Sequence, residues 1–115
     1  MEFQSSLPPE HALPALLLNL FTLAAGTVMY FFPPKKINGV YGYRTNRSMK
    51  SEANWKIAQV YSAKKMIQLS ILLFMICLGI AYLPLSPGTE TAISLTISLA
   101  GIILVFYYTE KKLKS

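Results

Sequence analysis

A single cysteine, a single histidine and five acidic residues leave this chain of 115 residues short of the groups that most enzymatic and metal chemistry requires. One thiol, Cys77, closes no disulfide and offers no metal framework, and it lies in an apolar stretch where a thiol behaves as a small hydrophobe. General acid–base work wants a carboxylate pair, a histidine or a nucleophile beside a base, and these groups are thinly scattered here. Charge is scarce as well, at 14% of residues against 53% hydrophobic. Internal repeats, low-complexity tracts and flexible linkers are also missing, so the chain reads as one domain over 1–115.

The charges that do occur avoid three long stretches. Leu13 to Phe32, Met66 to Leu83 and Thr91 to Tyr108 hold no Asp, Glu, Lys, Arg or His, and are 20, 18 and 18 residues long. As helices they would measure about 27 to 30 Å, the hydrocarbon thickness of a bilayer. Three buried helices of a water-soluble protein would need a shell of amphipathic elements for which the remaining residues are too few. The first stretch is too long for the apolar region of a signal peptide and lacks basic residues before it, so it reads as a retained span. The expected fold is therefore an all-α integral membrane protein with transmembrane helices at about 13–32, 66–83 and 91–108.

The net charge of +6 is unevenly placed. Lys35, Lys36, Arg44, Arg47, Lys50, Lys56, Lys64 and Lys65 crowd between the first and second spans against Glu52 alone, and the C-terminal segment carries Lys111, Lys112 and Lys114 against Glu110. Basic residues favour the cytoplasmic side, which predicts that the first loop and the C-terminus face the cytoplasm and the N-terminus faces outside. Tyr30 with Phe31 and Phe32, Tyr82, and Tyr107 with Tyr108 sit at span ends, where aromatic rings favour the headgroups. Pro33-Pro34 ends the first span, and Leu85-Ser86-Pro87-Gly88 reads as a tight external connection.

Within the spans, Asn19, Thr22 and Gly26 share one face of the first helix, and Ser94, Ser98 and Gly101 share one face of the third. Such residues allow close helix packing; a polar pocket with Asn19 and Gln68 is the alternative. Three spans bury little interior surface, which suits a homodimer, with the small-residue face of the third span as its expected contact.

The chemically rich segment is about 35–65. Gly39 and Gly42 suit turns, with Asn38 and Thr45 hydrogen-bonding locally. Ser48 or Ser51 then caps a helix that begins near Met49, with Glu52 in its first turn. That cytoplasmic amphipathic helix carries two stripes. Met49, Ala53, Ile57, Val60 and Tyr61 form one, and Trp55, Ala58, Gln59, Ser62 and Met66 form the other. A helix on a membrane surface needs one apolar stripe, so the second points to contact with the loop, the other spans or a partner. The lysines at span ends are explained by topology and snorkelling. Arg44 and Arg47 stand among Gly, Tyr, Asn, Thr and Ser, where a guanidinium suits a carboxylate or phosphate; pairing of Arg44 with Glu52 or helix-end carbonyls is equally open.

The string Asn38-x-x-x-Gly42-Tyr43-Arg44-Thr45-x-x-Ser48-Met49, followed by Trp55-x-x-Ala58, resembles the signature of the SdpI-like bacterial membrane proteins, named for an immunity protein against a sporulation-delaying toxin. The resemblance covers roughly Asn38 to Tyr108. It implies a multi-pass protein of the bacterial cytoplasmic membrane. The founding member carries additional N-terminal spans, protects its cell from a secreted toxic peptide and, with toxin bound, sequesters a small transcriptional repressor.

By that resemblance the expected function is non-enzymatic, of the toxin-immunity and signal-transduction type. Asn38, Gly42, Tyr43, Arg44, Thr45, Ser48, Trp55 and Ala58 are the ligand- or partner-binding residues; a toxin peptide and a repressor are the expected partners besides the bilayer. No cofactor or metal is expected. The alternative is a lipid- or small-molecule-binding protein, or an enzyme acting on an anionic headgroup through Arg44 and Glu52. A transport pathway lacks intramembrane charge, and the basic loop is short for a module that reads nucleic acid.

Overall fold

The computed structural model describes residues 8–115; Glu2, part of the N-terminal charge, lies outside them. A 3-10 turn at Glu10–Ala12 leads into α1 (Leu13–Phe31), followed by α2 (Glu52–Ala81) and α3 (Pro87–Lys112), with no strand among the described residues. All three helices are long and apolar enough to cross a membrane. They run up, down and up in a body of 56 × 24 × 20 Å, with α2 packed along both neighbours.

Burial is inverted relative to a water-soluble bundle. Phe21 is 77% exposed, Ile103 66% and Met75 64%, whereas Asn19, Ser70, Ser94 and Ser98 are buried. Hydrocarbon gains nothing from hiding leucine and phenylalanine between helices, so close backbone approach and interhelical hydrogen bonds hold the bundle. Asn19 Nδ2 donates to Ser98 Oγ at 2.9 Å and to Ala15 O at 3.0 Å. Ser98 Oγ donates to Ser94 O at 2.8 Å. A Cβ on Gly26 would stand 2.9 Å from Met66 Cβ, and one on Gly101 would collide with the Leu73 side chain.

The small residues therefore serve packing inside the chain. Ser94, Ser98 and Gly101, the expected contact between copies, are already occupied by α1 and α2. Gln68, the expected neighbour of Asn19, lies exposed on the outside of α2.

Helix limits follow local chemistry. α1 ends where Phe32 N donates to Val28 O at 2.8 Å and Pro33-Pro34 can donate nothing further. Of the two serines that suited the start of α2, Ser51 is the cap, accepting from Asn54 N at 3.0 Å. No proline or glycine interrupts the chain from there to Gly79. The amphipathic helix expected as a separate element is consequently the first half of α2. This helix has 30 residues and measures about 45 Å, so its first turns extend past a hydrocarbon core about 30 Å thick. α3 begins a turn earlier than expected, because Ser86 caps it and Pro87 is well placed in a first turn.

At the end away from the loop, His11 Nε2 lies 3.6 Å from the buried Glu90 Oε1. Ser94 Oγ donates to Glu90 Oε2 at 2.7 Å, and Thr91 Oγ1 donates to His11 O at 2.9 Å. Glu90 thus ties the first turn of α3 to the N-terminal segment instead of standing in an open connection.

Candidate functional site: a latched loop at one end of the bundle

Between α1 and α2 the chain folds into consecutive turns held from within. Asn38 Oδ1 accepts from the backbone N–H of Val40 and Tyr41 at 2.9 and 2.7 Å, and Tyr41 OH donates to Phe32 O at 2.6 Å. Thr45 and Ser48 cap each other: Thr45 N donates to Ser48 Oγ at 2.8 Å, and Ser48 N donates to Thr45 Oγ1 at 3.1 Å. Asn38 and Thr45 therefore perform the local bonding their side chains suit. Gly42 has φ of 111°, whereas Gly39 has open space where a Cβ would be, so only one of the two expected turn glycines is required as glycine.

Three side chains of α2 fasten this loop. Gln59 pairs with the peptide of Tyr43 as a neighbouring strand would, accepting from its N–H at 2.7 Å and donating to its carbonyl at 2.8 Å. Trp55 is 1% exposed and donates from Nε1 to Pro34 O at 2.7 Å. Asn54 Nδ2 donates to Arg47 O at 2.9 Å and to Lys114 O at 2.7 Å, and its Oδ1 accepts from Lys114 N at 3.1 Å. Of the two stripes, that of Trp55, Ala58, Gln59 and Ser62 is the buried one, and Ile57 and Val60 of the other are exposed.

Glu110 of α3 closes the arrangement. Its Oε2 accepts from Tyr43 OH at 2.6 Å and from Thr45 Oγ1 at 2.7 Å, and Arg47 Nη1 donates to its carbonyl at 3.2 Å. Burial first, and the hydrogen bond to the Glu110 carboxylate second, push the Tyr43 phenol well above its ordinary value of 10. The phenol is thereby kept in the donor form that the carboxylate needs.

Because the folded value is raised, the phenol's contribution is fully present below about pH 10, the unfolded value, and is lost as pH climbs toward the folded one. Tyr43→Phe should lower stability by about 1–2 kcal/mol at neutral pH. Unfolding in detergent at stepped pH checks the rest: the gap between wild type and variant is expected to stay constant up to about pH 10 and shrink above it.

The eight expected site residues divide into two groups. Gly42, Tyr43, Thr45, Ser48, Trp55 and Ala58 are consumed in fastening the loop, as is Asn38 through its own turn. Arg44 alone points its charge outward, spending Nε on Asn38 O at 3.2 Å and remaining exposed. It forms no ion pair with Glu52 among the described residues; the helix-end carbonyl goes to Arg47. Asn54 and Glu110 escaped notice in the sequence. The available hint for Glu110 was one acid in a tail of lysines, on the same expected side as a loop of hydroxyls and arginines.

Aromatic and basic side chains ring this end of α2 and α3. Lys65 Nζ lies 5.6 Å from the Tyr61 ring centroid and 5.7 Å from that of Tyr108, and Lys111 Nζ lies 5.2 Å from Tyr107. Such pairs suit the headgroup level of a bilayer. Among the described residues no group of three His, Cys, Asp or Glu could hold a metal ion.

Three membrane-crossing helices with a hydroxyl-lined interior, and an inter-span loop latched to the two later helices, define a small multi-pass membrane protein. The chain belongs to the SdpI/YfhL protein family, which it matches over residues 35–109, from the loop through α2 and most of α3. It is 40% identical to the uncharacterized protein YfhL of Bacillus subtilis (strain 168) over 93 residues, covering 80% of this chain and 78% of that protein. No solved structure matches it.

Proposed function

We propose that this is a non-enzymatic protein of the bacterial cytoplasmic membrane, of the toxin-immunity and signal-transduction type, and that the latched loop is its cytoplasmic working surface. The basic loop and C-terminus then face inward, with the N-terminus outside. The observation that carries the reading is the division of labour in the loop. Tyr43, Ser48 and Trp55 are buried as fasteners, while Arg44 and Arg47 stand exposed. A loop free merely to carry topogenic charge has no need of so many fasteners. A guanidinium carried on a fixed loop suits a partner with an anionic group, because little order remains to be imposed on binding.

In this reading Arg44 engages the partner, a toxin peptide or a small repressor by family resemblance, and the motif's other residues hold Arg44 in place. Glu52 is exposed and not paired with Arg44, so chemistry on a headgroup through those two residues has no assembled site to support it. Arg44→Ala is expected to abolish protection of cells challenged with the relevant peptide while insertion and abundance remain at wild-type levels. Unchanged resistance in that variant would remove the surface from consideration.

A further inference from the structure

At the loop end of the bundle, two lysines and two tyrosines meet across the seam between α2 and α3. Tyr61 and Lys65 stand one turn apart on α2, and Tyr108 and Lys112 one turn apart on α3. The two helices run in opposite directions, so each lysine comes level with the other helix's tyrosine. Lys112 Nζ lies 5.4 Å from the Tyr61 ring centroid, which Lys65 Nζ also approaches at 5.6 Å, and Lys65 Nζ is 5.7 Å from the Tyr108 centroid. Two ammoniums from two helices thus converge on one ring.

A lysine that only marks a span end snorkels into water by itself. These two are held against aromatic faces, which attract a cation without neutralising it. No carboxylate pairs with either lysine among the described residues. Glu110 is two positions from Lys112, about 200° around α3, and its carboxylate is engaged by Tyr43 and Thr45. Glu52 stands about 13.5 Å along α2 from Tyr61. Tyr61 and Lys65 are half-buried, whereas Tyr108 and Lys112 are exposed, so the paired charge is open from outside the bundle. Its depth is fixed by the sequence: the uncharged stretch of α2 starts at Met66 and that of α3 ends at Tyr108, which is the headgroup level. Toward the membrane interior the same two faces continue through Leu72 and Leu104, both exposed.

We infer that this seam binds the phosphate of an anionic phospholipid, from the leaflet on the loop's side, between Lys65 and Lys112, with an acyl chain along Leu72 and Leu104. Headgroup depth and the apolar surface below the charges favour a lipid over a free phosphate ion. Two unneutralised ammoniums favour a headgroup of net negative charge over a zwitterionic one, whose own cation already balances its phosphate. The site uses neither Arg44 nor the latched loop, so it stands or falls separately from the proposed partner role.

The test reconstitutes the full chain in vesicles of equal phosphatidylglycerol and phosphatidylcholine, extracts it in mild detergent, and quantifies the phospholipid that stays with it by mass spectrometry. Phosphatidylglycerol should be retained in excess. Lys65→Gln and Lys112→Gln should each lower that preference about five-fold, the worth of one lysine beside an anionic surface. Lys65→Arg should keep it, which separates loss of charge from damage to the fold. Lys64→Gln removes the same charge one residue away, outside the cluster, and should leave the preference unchanged. Inorganic phosphate in the extraction buffer should not displace the lipid. Equal retention of the two lipids overturns the inference, as does an effect of Lys64→Gln as large as that of Lys65→Gln. Displacement by inorganic phosphate would assign the seam to a free anion and overturn the lipid as its occupant.

Discussion

Trp55→Ala is expected to release the loop from α2 and to cost about 3–5 kcal/mol, the range for deleting a large buried aromatic side chain. Two losses combine. The indole leaves a cavity at a position with 1% exposure, and Pro34 O loses the donor that held it at 2.7 Å. Trp55→Phe separates them, because it keeps most of the volume and removes the hydrogen bond, and should cost only about 1–2 kcal/mol. Unfolding of the purified protein in mixed micelles, followed by circular dichroism, gives both values. Limited trypsin digestion locates the change, since Arg44 and Arg47 should be cut far faster in Trp55→Ala than in wild type. Equal protection of Trp55→Ala and wild type would mean that the indole is not a principal fastener, and that Gln59 and Glu110 hold the loop without it.

The spans were legible in the sequence because charge exclusion is a strong signal. The first uncharged stretch, Leu13 to Phe32, differs from α1 by one residue. The join between the loop helix and the second span was not legible as a continuation, because the change from basic to apolar composition at Lys64-Lys65 resembles a boundary while placing no obstacle in the backbone. Pro87-Gly88 misled in the opposite sense: it looks like a turn, yet after the Ser86 cap it is a helix start. At the loop, the second stripe correctly signalled a buried face on Trp55, Ala58 and Gln59. Asn54 and Glu110 could not be read so, since their partners lie about sixty residues away and no periodicity encodes a contact of that kind.

Gly42→Ala tests whether the motif's glycine is required by backbone or by space, and both point the same way. With φ at 111° an L-residue is strained, and the added Cβ would stand 2.5 Å from Gln59 Oε1 and 2.7 Å from Pro34 Cγ. Gln59 cannot retreat without giving up its two bonds to the Tyr43 peptide, and Pro34 cannot retreat without drawing its carbonyl away from Trp55. A loss of about 2–4 kcal/mol is therefore expected, combining local strain with the collision. The single tryptophan of the chain reports on it directly: Trp55 emission should shift to the red as Pro34 and Gln59 move off and water reaches the indole. Gly39→Ala is the control, three residues away, with negative φ and nothing within 4 Å of the new Cβ. It should leave both stability and emission unchanged. If Gly39→Ala disturbed the loop as much as Gly42→Ala, the close fit of Gly42 between Gln59 and Pro34 could not be what holds Arg44 in place.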